Sequence, residues 1–270
     1  MKTDYLASAV QAARAAGQIQ RERLWGEYSV DFKGENNLVT EVDRISEDLI
    51  VLQLRVACPG CDVLAEESGA LDTGSSLRWI IDPLDGTTNY AHGFPWFAVS
   101  IALEVSGVIQ LGVVYQPMMD ELFTCVRGQG AWLNGEKITV SSRQPLENCL
   151  LATGFPYDRA QSNENNFDNF FQFQLAARGV RRAGAAALDL AYVAAGRLDG
   201  FWECKLNPWD VAAGKLMVEE AGGTVTNHAG EPYFIRDHRI LASNGRIHQE
   251  MLQILSPGKK SPLHVESFVP

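Results

Sequence analysis

The sequence lacks a long hydrophobic run, and this absence limits where the protein resides. No segment of its 270 residues approaches the roughly 20 consecutive apolar residues that a membrane-spanning helix needs. Residues 1–5 lead into a charged, Ala-rich amphipathic stretch, which differs from the apolar core of a signal peptide. We therefore expect a cytoplasmic protein that has no membrane partner.

The sequence also has few basic residues for its acidic content. It contains 23 Lys and Arg residues against 33 Asp and Glu residues, so its formal net charge is −10. This balance argues against a general nucleic-acid-binding or anionic-membrane surface, because such surfaces are rich in Lys and Arg. A small anionic substrate is compatible with the charge, since bound divalent cations would reverse its sign locally.

Cysteines are few and scattered, which argues against a disulfide framework. They occupy positions 58, 61, 125, 149 and 204. Cys58-Pro59-Gly60-Cys61 has the C-x-x-C spacing of redox and zinc sites, but no second such pair or nearby His pair accompanies it. We interpret this segment as a Pro-Gly turn that carries two incidental thiols.

The sequence patterns predict an α/β protein made of two unlike halves. Apolar periodicity predicts a helix over residues 4–24 and a second helix with Asp43 as its N-cap. Strand patterns begin at residue 78, and Asn134-Gly135 is typical of a hairpin turn, so we expect an antiparallel sheet in the first half. The second half alternates strands with predicted helices, which indicates a mixed sheet; those helices span residues 161–178, 186–195 and 210–220.

The change of pattern places a boundary between the halves near residues 141–147. We assign residues 1–145 to an α+β half that binds metal and phosphate, and residues 146–255 to an α/β half that binds the substrate. Residues 256–270 contain three prolines and two lysines, and we expect them to form a loose C-terminal extension.

The most informative chemical signal is an acidic turn that directly follows an apolar run. It reads Asp82-Pro83-Leu84-Asp85-Gly86-Thr87-Thr88-Asn89. Asp82 and Asp85 offer the carboxylate oxygens that Mg²⁺ prefers, and the backbone N–H groups around Gly86 and Thr87 can face an anion. The turn therefore predicts a joint site for metal and phosphate. An acidic surface turn is the alternative, since Asp, Pro and Gly are common turn residues.

Three further segments bring acidic residues from distant points of the chain. They contain Glu66-Glu67, Asp210 and Asp43. Each segment alone has a simpler interpretation, because Glu66-Glu67 can be a solvated strand end, and Asp210 and Asp43 can be helix N-caps.

Together, these segments resemble the inositol monophosphatase family, whose members are Mg²⁺-dependent and Li⁺-sensitive phosphatases. The acidic turn is one of the family's two signature segments, and Trp209-Asp210-Val211-Ala212-Ala213-Gly214 is the other. The elements Asn37 to Asp43 and Glu66-Glu67-Ser68 match in place and order, and the resemblance covers roughly residues 5–255. It implies a layered αβαβα sandwich of the sugar-phosphatase type and a homodimer.

The same resemblance implies the metal and catalytic residues. The backbone carbonyl of Leu84 and four carboxylates would hold two or three Mg²⁺ ions, with Li⁺ as a competing inhibitor; the carboxylates belong to Glu66, Asp82, Asp85 and Asp210. Thr87 and Asp43 would form a pair that orients and deprotonates the attacking water, with help from Glu66. Water would then attack in line, without a covalent phospho-enzyme.

Substrate recognition is implied at two ends of the same site. Asp85, Gly86 and Thr87 would meet the phosphate, and Asp210 would also touch the substrate. Glu203 would accept hydrogen bonds from substrate hydroxyls, although a surface Glu at a strand end is the alternative. Gly184-Ala185-Ala186 would line the inositol side. Many relatives have Ser or Thr where this chain has Ala185, so one substrate hydrogen bond is absent or water-mediated.

The sequence therefore predicts hydrolysis of a small phosphorylated polyol, with myo-inositol monophosphate as the first candidate. Fructose-1,6-bisphosphatase, histidinol-phosphatase and 3′(2′),5′-bisphosphate nucleotidase are alternatives, because they share the D-P-x-D-G-T core. A regulatory role is a further alternative, since some bacterial relatives bind the transcription machinery.

Overall fold

The computed structural model describes residues 4–32 and 38–256, with the backbone alone at Phe32. Asn37 and nearly all of the predicted C-terminal extension lie outside these residues. The described residues contain seven α-helices: α1 (Tyr5–Arg23), α2 (Glu41–Ala57), α3 (Thr87–Ala91), α4 (Phe167–Ala176), α5 (Ala186–Ala194), α6 (Pro208–Glu220) and α7 (His248–Leu255). Within this part of the chain, no helix is both long and apolar enough to cross a membrane.

The first half contains a short ribbon and an eight-stranded sheet. The ribbon pairs β1 (Val30–Phe32) with β2 (Leu38–Thr40). The sheet consists of β3 (Asp62–Ala65), β4 (Gly69–Leu71), β5 (Leu77–Asp85), β6 (Ala98–Val105), β7 (Val108–Gln116), β8 (Glu121–Val126), β9 (Gly130–Leu133) and β10 (Glu136–Ile138). Its strand order is β10-β9-β8-β7-β6-β5-β3-β4. All neighbours are antiparallel apart from β3 and β5, because the chain turns back through β4 on the far edge of β3 before it enters β5 on the other side of β3.

The second half contains a five-stranded mixed sheet, as the sequence predicts. Its strands are β11 (Leu150–Thr153), β12 (Gly179–Arg181), β13 (Gly200–Cys204), β14 (Thr224–Thr226) and β15 (Arg239–Ser243). In the order β12-β11-β13-β15-β14, the pairs β11–β12 and β11–β13 are parallel and the other two are antiparallel.

Helices and sheets stack in five layers. Helices α1 and α2 pack on the outer face of the first sheet, and α5 and α6 lie between the two sheets. Helices α4 and α7 cover the outer face of the second sheet. This arrangement confirms the predicted αβαβα sandwich. One apolar cluster runs through the middle of it, from Ile80 and Phe123 through Leu190 and Leu216 to Phe201.

Two glycines bring the central helices close enough to the first sheet for this stacking. A Cβ atom on Gly112 of β7 would lie only 2.9 Å from the Cα of Ala213 on α6. A Cβ atom on Gly214 would lie 2.5 Å from the Cβ of Leu190 on α5. Both distances are too short for real side chains, so glycine is needed at each contact. The tight fit fixes the position of α6 and of Asp210 in its first turn.

The structure corrects the predicted starts of α2 and α6. Thr40, and not Asp43, is the N-cap of α2, and Asn207 is the N-cap of α6. Asp43 and Asp210 are the third residues of their helices, where each carboxylate accepts the backbone N–H of the N-cap at 2.9 and 2.7 Å. These are capping boxes, in which the acid lies three residues after the cap.

The structure also corrects the interpretation of the C-x-x-C segment. Cys58 and Cys61 are joined as a disulfide, although we expected two unlinked thiols. Helix α2 ends just before Cys58, and Gly60 adopts a left-handed φ of 82°. This turn brings the two Cα atoms to 5.7 Å, within the range that a disulfide spans.

Candidate functional site

A cleft between the two halves gathers the residues that the sequence singles out. Its lining includes every predicted metal, catalytic and substrate-binding residue except Asp43, which lies directly behind Thr87. These residues come from the ends of β3, β5 and β13 and the first turns of α5 and α6. The cleft is therefore complete only when both halves are folded together.

The acidic turn is shaped by an irregularity at the end of β5. The pairing of β5 with β6 shifts register between Asp82 and Asp85, so Pro83 and Leu84 bulge out of the ladder before Asp85 pairs with Ala98. The N–H of Leu84 donates to Asp82 Oδ1 at 3.0 Å, which fixes that carboxylate across the turn. Gly86 follows with a φ of 97°, and a Cβ there would lie 3.0 Å from the carbonyl oxygen of Trp96. Only glycine combines this backbone conformation with this close approach.

Four carboxylates converge in the cleft, from Glu66, Asp82, Asp85 and Asp210. The pKa of Asp82 is raised well above its usual range by burial, by the charges of the other three, and by a hydrogen bond with Glu66. Burial and the charges of Glu66 and Asp85 also raise the pKa of Asp210 well above its usual range. A cluster of this kind repels itself unless a cation or protons compensate its charge.

Asp85 is held by the second half of the molecule. Its Oδ2 accepts the backbone N–H of Ala187 at 2.7 Å, and the N–H groups of Ala186 and Leu188 also act on it. These groups belong to the first turn of α5, whose N-terminus favours negative charge. Burial outweighs this stabilisation and raises the pKa of Asp85 to about 7. Sequence reasoning missed this contact, which joins residues about a hundred positions apart.

Thr87 and Asp43 form the predicted hydroxyl–carboxylate pair. Thr87 Oγ1 donates to Asp43 Oδ1 at 2.9 Å. The other carboxylate oxygen of Asp43 accepts the N–H and the hydroxyl of Thr40, so the carboxylate is held from both sides. Asp43 is fully buried, and this burial raises its pKa despite the hydrogen bonds that lower it. The arrangement leaves lone pairs of the Thr87 hydroxyl oxygen able to accept a proton from a water molecule.

The carboxylate cluster fits Mg²⁺ by the chemistry of its donors. Hard oxygen ligands suit this ion, and a cation would compensate the charges that raise the pKa values of Asp82 and Asp210. Among the described residues, no three His, Cys, Asp or Glu side chains form a ready ligand cage.

Glu47 is a functional residue that sequence reasoning missed. It lies in α2, is only 3% exposed, and accepts the backbone N–H groups of Glu67 and Ser68 at 2.8 and 2.7 Å. Glu47 therefore fixes the backbone on the C-terminal side of Glu66. The spacing of Glu47 four residues after Asp43 is the one sequence signal for it, because it puts both on the same helix face.

One end of the cleft, supplied by the second half, is shaped by Glu203 and Gly154. Glu203 is 8% exposed on β13, and burial raises its pKa to about 8, although Arg182 lowers it. A Cβ atom on Gly154 would overlap the carboxylate of Glu203. Gly154 therefore allows Glu203 to lie against the backbone at the end of β11. Gly184, Ala185 and Ala186 complete this end.

Replacing Gly154 with Ala is expected to displace Glu203 and weaken recognition of a polyol. We expect kcat/KM for myo-inositol 1-phosphate to fall about tenfold, the cost of roughly one hydrogen bond. Hydrolysis of 4-nitrophenyl phosphate, which has no hydroxyl group for Glu203, should change little. Steady-state kinetics on both esters measures this difference.

The control for this variant is Gly179→Ala, at a glycine of β12 outside the cleft whose added Cβ would meet no atom closer than 3.4 Å. It should leave both rates unchanged. In a Glu203→Ala background, Gly154→Ala should lower kcat/KM for myo-inositol 1-phosphate no further. An equal loss on both esters would show that Gly154 does not act through Glu203.

Known proteins are similar to this chain in both sequence and fold. The sequence model of the inositol monophosphatase family matches residues 1–258. A protein named Nus factor SuhB from Pseudomonas aeruginosa is 46% identical over 257 residues, which cover 92% of this chain and 94% of that protein. An inositol-1-monophosphatase from Synechocystis sp. is 46% identical over 255 residues, which cover 93% of this chain and 88% of that protein. The solved structure of an inositol monophosphatase from Anabaena (Nostoc) sp. superposes with a TM-score of 0.85 at 44% identity, covering 93% of this chain and 94% of that chain.

Proposed function

This chain belongs to the inositol monophosphatase family, and from that premise we propose that it hydrolyses small phosphate monoesters with Mg²⁺. Myo-inositol monophosphate is the substrate we place first, with myo-inositol and phosphate as products. The observation that carries the proposal is the Thr87–Asp43 hydrogen bond beside four converging carboxylates. The Thr87–Asp43 pair can activate a water molecule, and the carboxylates beside it can hold a metal ion.

In the proposed reaction, this chain contributes mainly positioning and charge. Carboxylates of Glu66, Asp82, Asp85 and Asp210 and the carbonyl of Leu84 would hold the metal. Bound Mg²⁺ would neutralise the phosphate and make water a better nucleophile. Thr87 accepts a hydrogen bond from the attacking water, and Asp43 receives a proton through the Thr87 hydroxyl. The backbone around Gly86 and Thr87 orients the phosphate, so the water attacks in line with the leaving oxygen.

The organic part of the substrate extends toward the other half of the cleft. Glu203 accepts hydrogen bonds from its hydroxyl groups, and Gly184, Ala185 and Ala186 contact it through backbone and small side chains. Ala185 is 1% exposed and offers no hydroxyl group of its own. The small side chains leave room for a ring, which supports a cyclic polyol.

A phosphate-release panel tests this substrate assignment. It compares myo-inositol 1-phosphate with fructose 1,6-bisphosphate, histidinol phosphate and adenosine 3′,5′-bisphosphate, each with and without Mg²⁺ and Li⁺. We expect the inositol ester to have the highest kcat/KM, an absolute need for Mg²⁺, and inhibition by Li⁺. A clear preference for any of the other three esters would overturn the substrate assignment while keeping the phosphatase. Sedimentation of the same sample tests the homodimer that we include in the proposal.

A second function, binding to a protein partner without catalysis, is supported by one observation. A relative that is 46% identical bears the name Nus factor. The test is to isolate the protein from its host with and without the double change Asp85→Asn, Asp210→Asn. A stoichiometric partner that stays with the doubly changed protein supports a role apart from catalysis. If no partner copurifies with either protein, the second function is excluded.

A further inference from the structure

Asp189 is a buried acidic residue that the proposed reaction does not use. It lies in the first turn of α5, lines the cleft, and is 2% exposed. Its Oδ1 is buried and has no hydrogen-bond partner within the described part of the chain. Buried carboxyl groups are almost always paired, because an unpaired one keeps the full cost of its desolvation. This oxygen therefore needs a partner that comes from outside the chain.

The charged neighbours of Asp189 lie in the same cleft, and two of them, Glu203 and Arg182, belong to the second half. Burial raises its pKa well above the usual range, the charges of Glu203 and Asp85 raise it further, and Arg182 lowers it. Arg182 is also the cation that lowers the pKa of Glu203. Its Nη1 lies 2.7 Å from the place that a Cβ on Gly184 would occupy, so its guanidinium covers the glycine at the edge of the cleft. Two carboxyl groups and one guanidinium thus surround the same end.

This set of groups matches a polyol better than a single hydroxyl group or an aromatic ring. Each hydroxyl group donates one hydrogen bond and accepts others, so it can satisfy a carboxyl oxygen and a guanidinium together. Glu203 also forms no hydrogen bond through its carboxylate among those of the described residues, and it is more than nine-tenths buried. A ligand with one hydroxyl group would satisfy one of the two acids and leave the other unpaired.

We infer that Asp189 is a second hydroxyl-binding residue beside Glu203, so that the preferred substrate presents two hydroxyl groups to this end of the cleft. The inference rests on the proposed phosphatase function, since it concerns the organic part of the same substrate. It makes Asp189 a specificity residue that separates polyol esters from simple esters. A site that pairs its buried polar groups with substrate hydroxyls discriminates strongly against analogues without them.

The alternative is that Asp189 only stabilises α5. An acidic residue in the first turn of a helix interacts favourably with the helix dipole. However, the first-turn N–H groups of α5 already donate to Asp85 and not to Asp189. A purely stabilising role predicts a change in melting temperature and no change in substrate preference.

The test compares Asp189→Asn with the matched change Asp168→Asn, which lies in the first turn of α4 outside the cleft. We expect Asp189→Asn to lower kcat/KM for myo-inositol 1-phosphate about tenfold and to leave 4-nitrophenyl phosphate within about twofold. Asp168→Asn should change neither rate. Among monodeoxy analogues of inositol 1-phosphate, one should be a poor substrate of the unchanged protein and should lose nothing further with Asp189→Asn.

A binding measurement separates this inference from the proposed function. Titration calorimetry with myo-inositol alone needs no catalysis, and we expect Asp189→Asn to weaken that binding about tenfold. If no phosphate ester is hydrolysed but this loss occurs, the reaction is wrong and the role of Asp189 stands. Equal rates and equal binding in both proteins, or an equal loss on both esters, would overturn the inference.

Discussion

Replacing Asp85 with Asn is expected to abolish Mg²⁺-dependent turnover and leave the fold intact. Asp85 connects the two halves, since it lies in the carboxylate cluster and accepts the N–H of Ala187 from the second half. Asn keeps an oxygen that can accept this bond, but it loses the charge that attracts a cation. We expect kcat to fall by at least about 10³-fold, as when a preorganised electrostatic group is removed from an active site. Phosphate release at saturating Mg²⁺ measures this loss.

Stability measurements distinguish a lost metal site from a lost fold. Without metal, the Asp85→Asn protein should melt no lower than the unchanged one, because one of several mutually repelling buried charges is gone. Mg²⁺ should raise the melting temperature of the unchanged protein, since a ligand that binds only the folded state stabilises it. This rise should be much smaller in the variant. Retained activity, or an equal rise in both proteins, would contradict the assignment.

Replacing Asp43 with Asn is expected to slow the chemical step and leave substrate binding almost unchanged. Asp43 contacts Thr87 and does not line the cleft, so it acts on the attacking water through that hydroxyl. We expect kcat to fall about 10²- to 10⁴-fold, the usual contribution of a general base, while KM stays within a few fold. Thr87→Val should have a similar effect. The double variant should be no slower than the slower single variant, because both changes remove one unit.

The stability effect of Asp43→Asn has its own control. The amide oxygen of Asn can still accept from Thr40, but bonds to a neutral amide are weaker than bonds to a carboxylate, so α2 should lose up to about 1 kcal/mol of capping energy. Thr40→Val removes the hydroxyl that accepts the N–H of Val42 but keeps the Thr87–Asp43 bond. It should match the loss in stability and retain most of the activity. If Thr40→Val is as inactive as Asp43→Asn, the effect is structural and the proposed base is wrong.

The contiguous parts of the site were predictable from the sequence because their chemistry is local. Asp82 to Asn89 are contiguous and run from the end of β5 into α3, so their order alone predicts metal and phosphate binding. The hairpin at Asn134-Gly135 is likewise set by two residues, and it joins β9 and β10 as expected. The alternation of strands and helices in the second half was sufficient to predict its mixed sheet.

The other parts of the site depend on long-range packing that a single sequence does not reveal. Glu47 accepts hydrogen bonds from the backbone N–H groups of residues 67 and 68, and Gly154 leaves the space that the Glu203 carboxylate occupies. In the sequence, Asp189 is one polar residue of an otherwise apolar helix. Only the folded structure shows that it lines the cleft near Glu203. The caps are a different case, because the spacing from Thr40 to Asp43 and from Asn207 to Asp210 already carries the capping-box signature. At both helix starts, we assigned the N-cap to the Asp residue, because Asp favours that position as Thr and Asn do.

The two capping boxes also affect how this protein can diverge. Asp43 and Asp210 each accept the N–H of a helix N-cap and also serve the cleft, whereas Asp82 and Asp85 lie in the repelling carboxylate cluster and cap no helix start of their own. A lineage that kept the fold for some other purpose could replace Asp82 or Asp85 with Asn at little cost in stability, because Asn keeps an oxygen that accepts the N–H of Leu84 or Ala187. Loss of Asp43 or Asp210 would also weaken the start of α2 or α6. We therefore expect inactive descendants of such a protein to change first within the turn and last at the two helix starts.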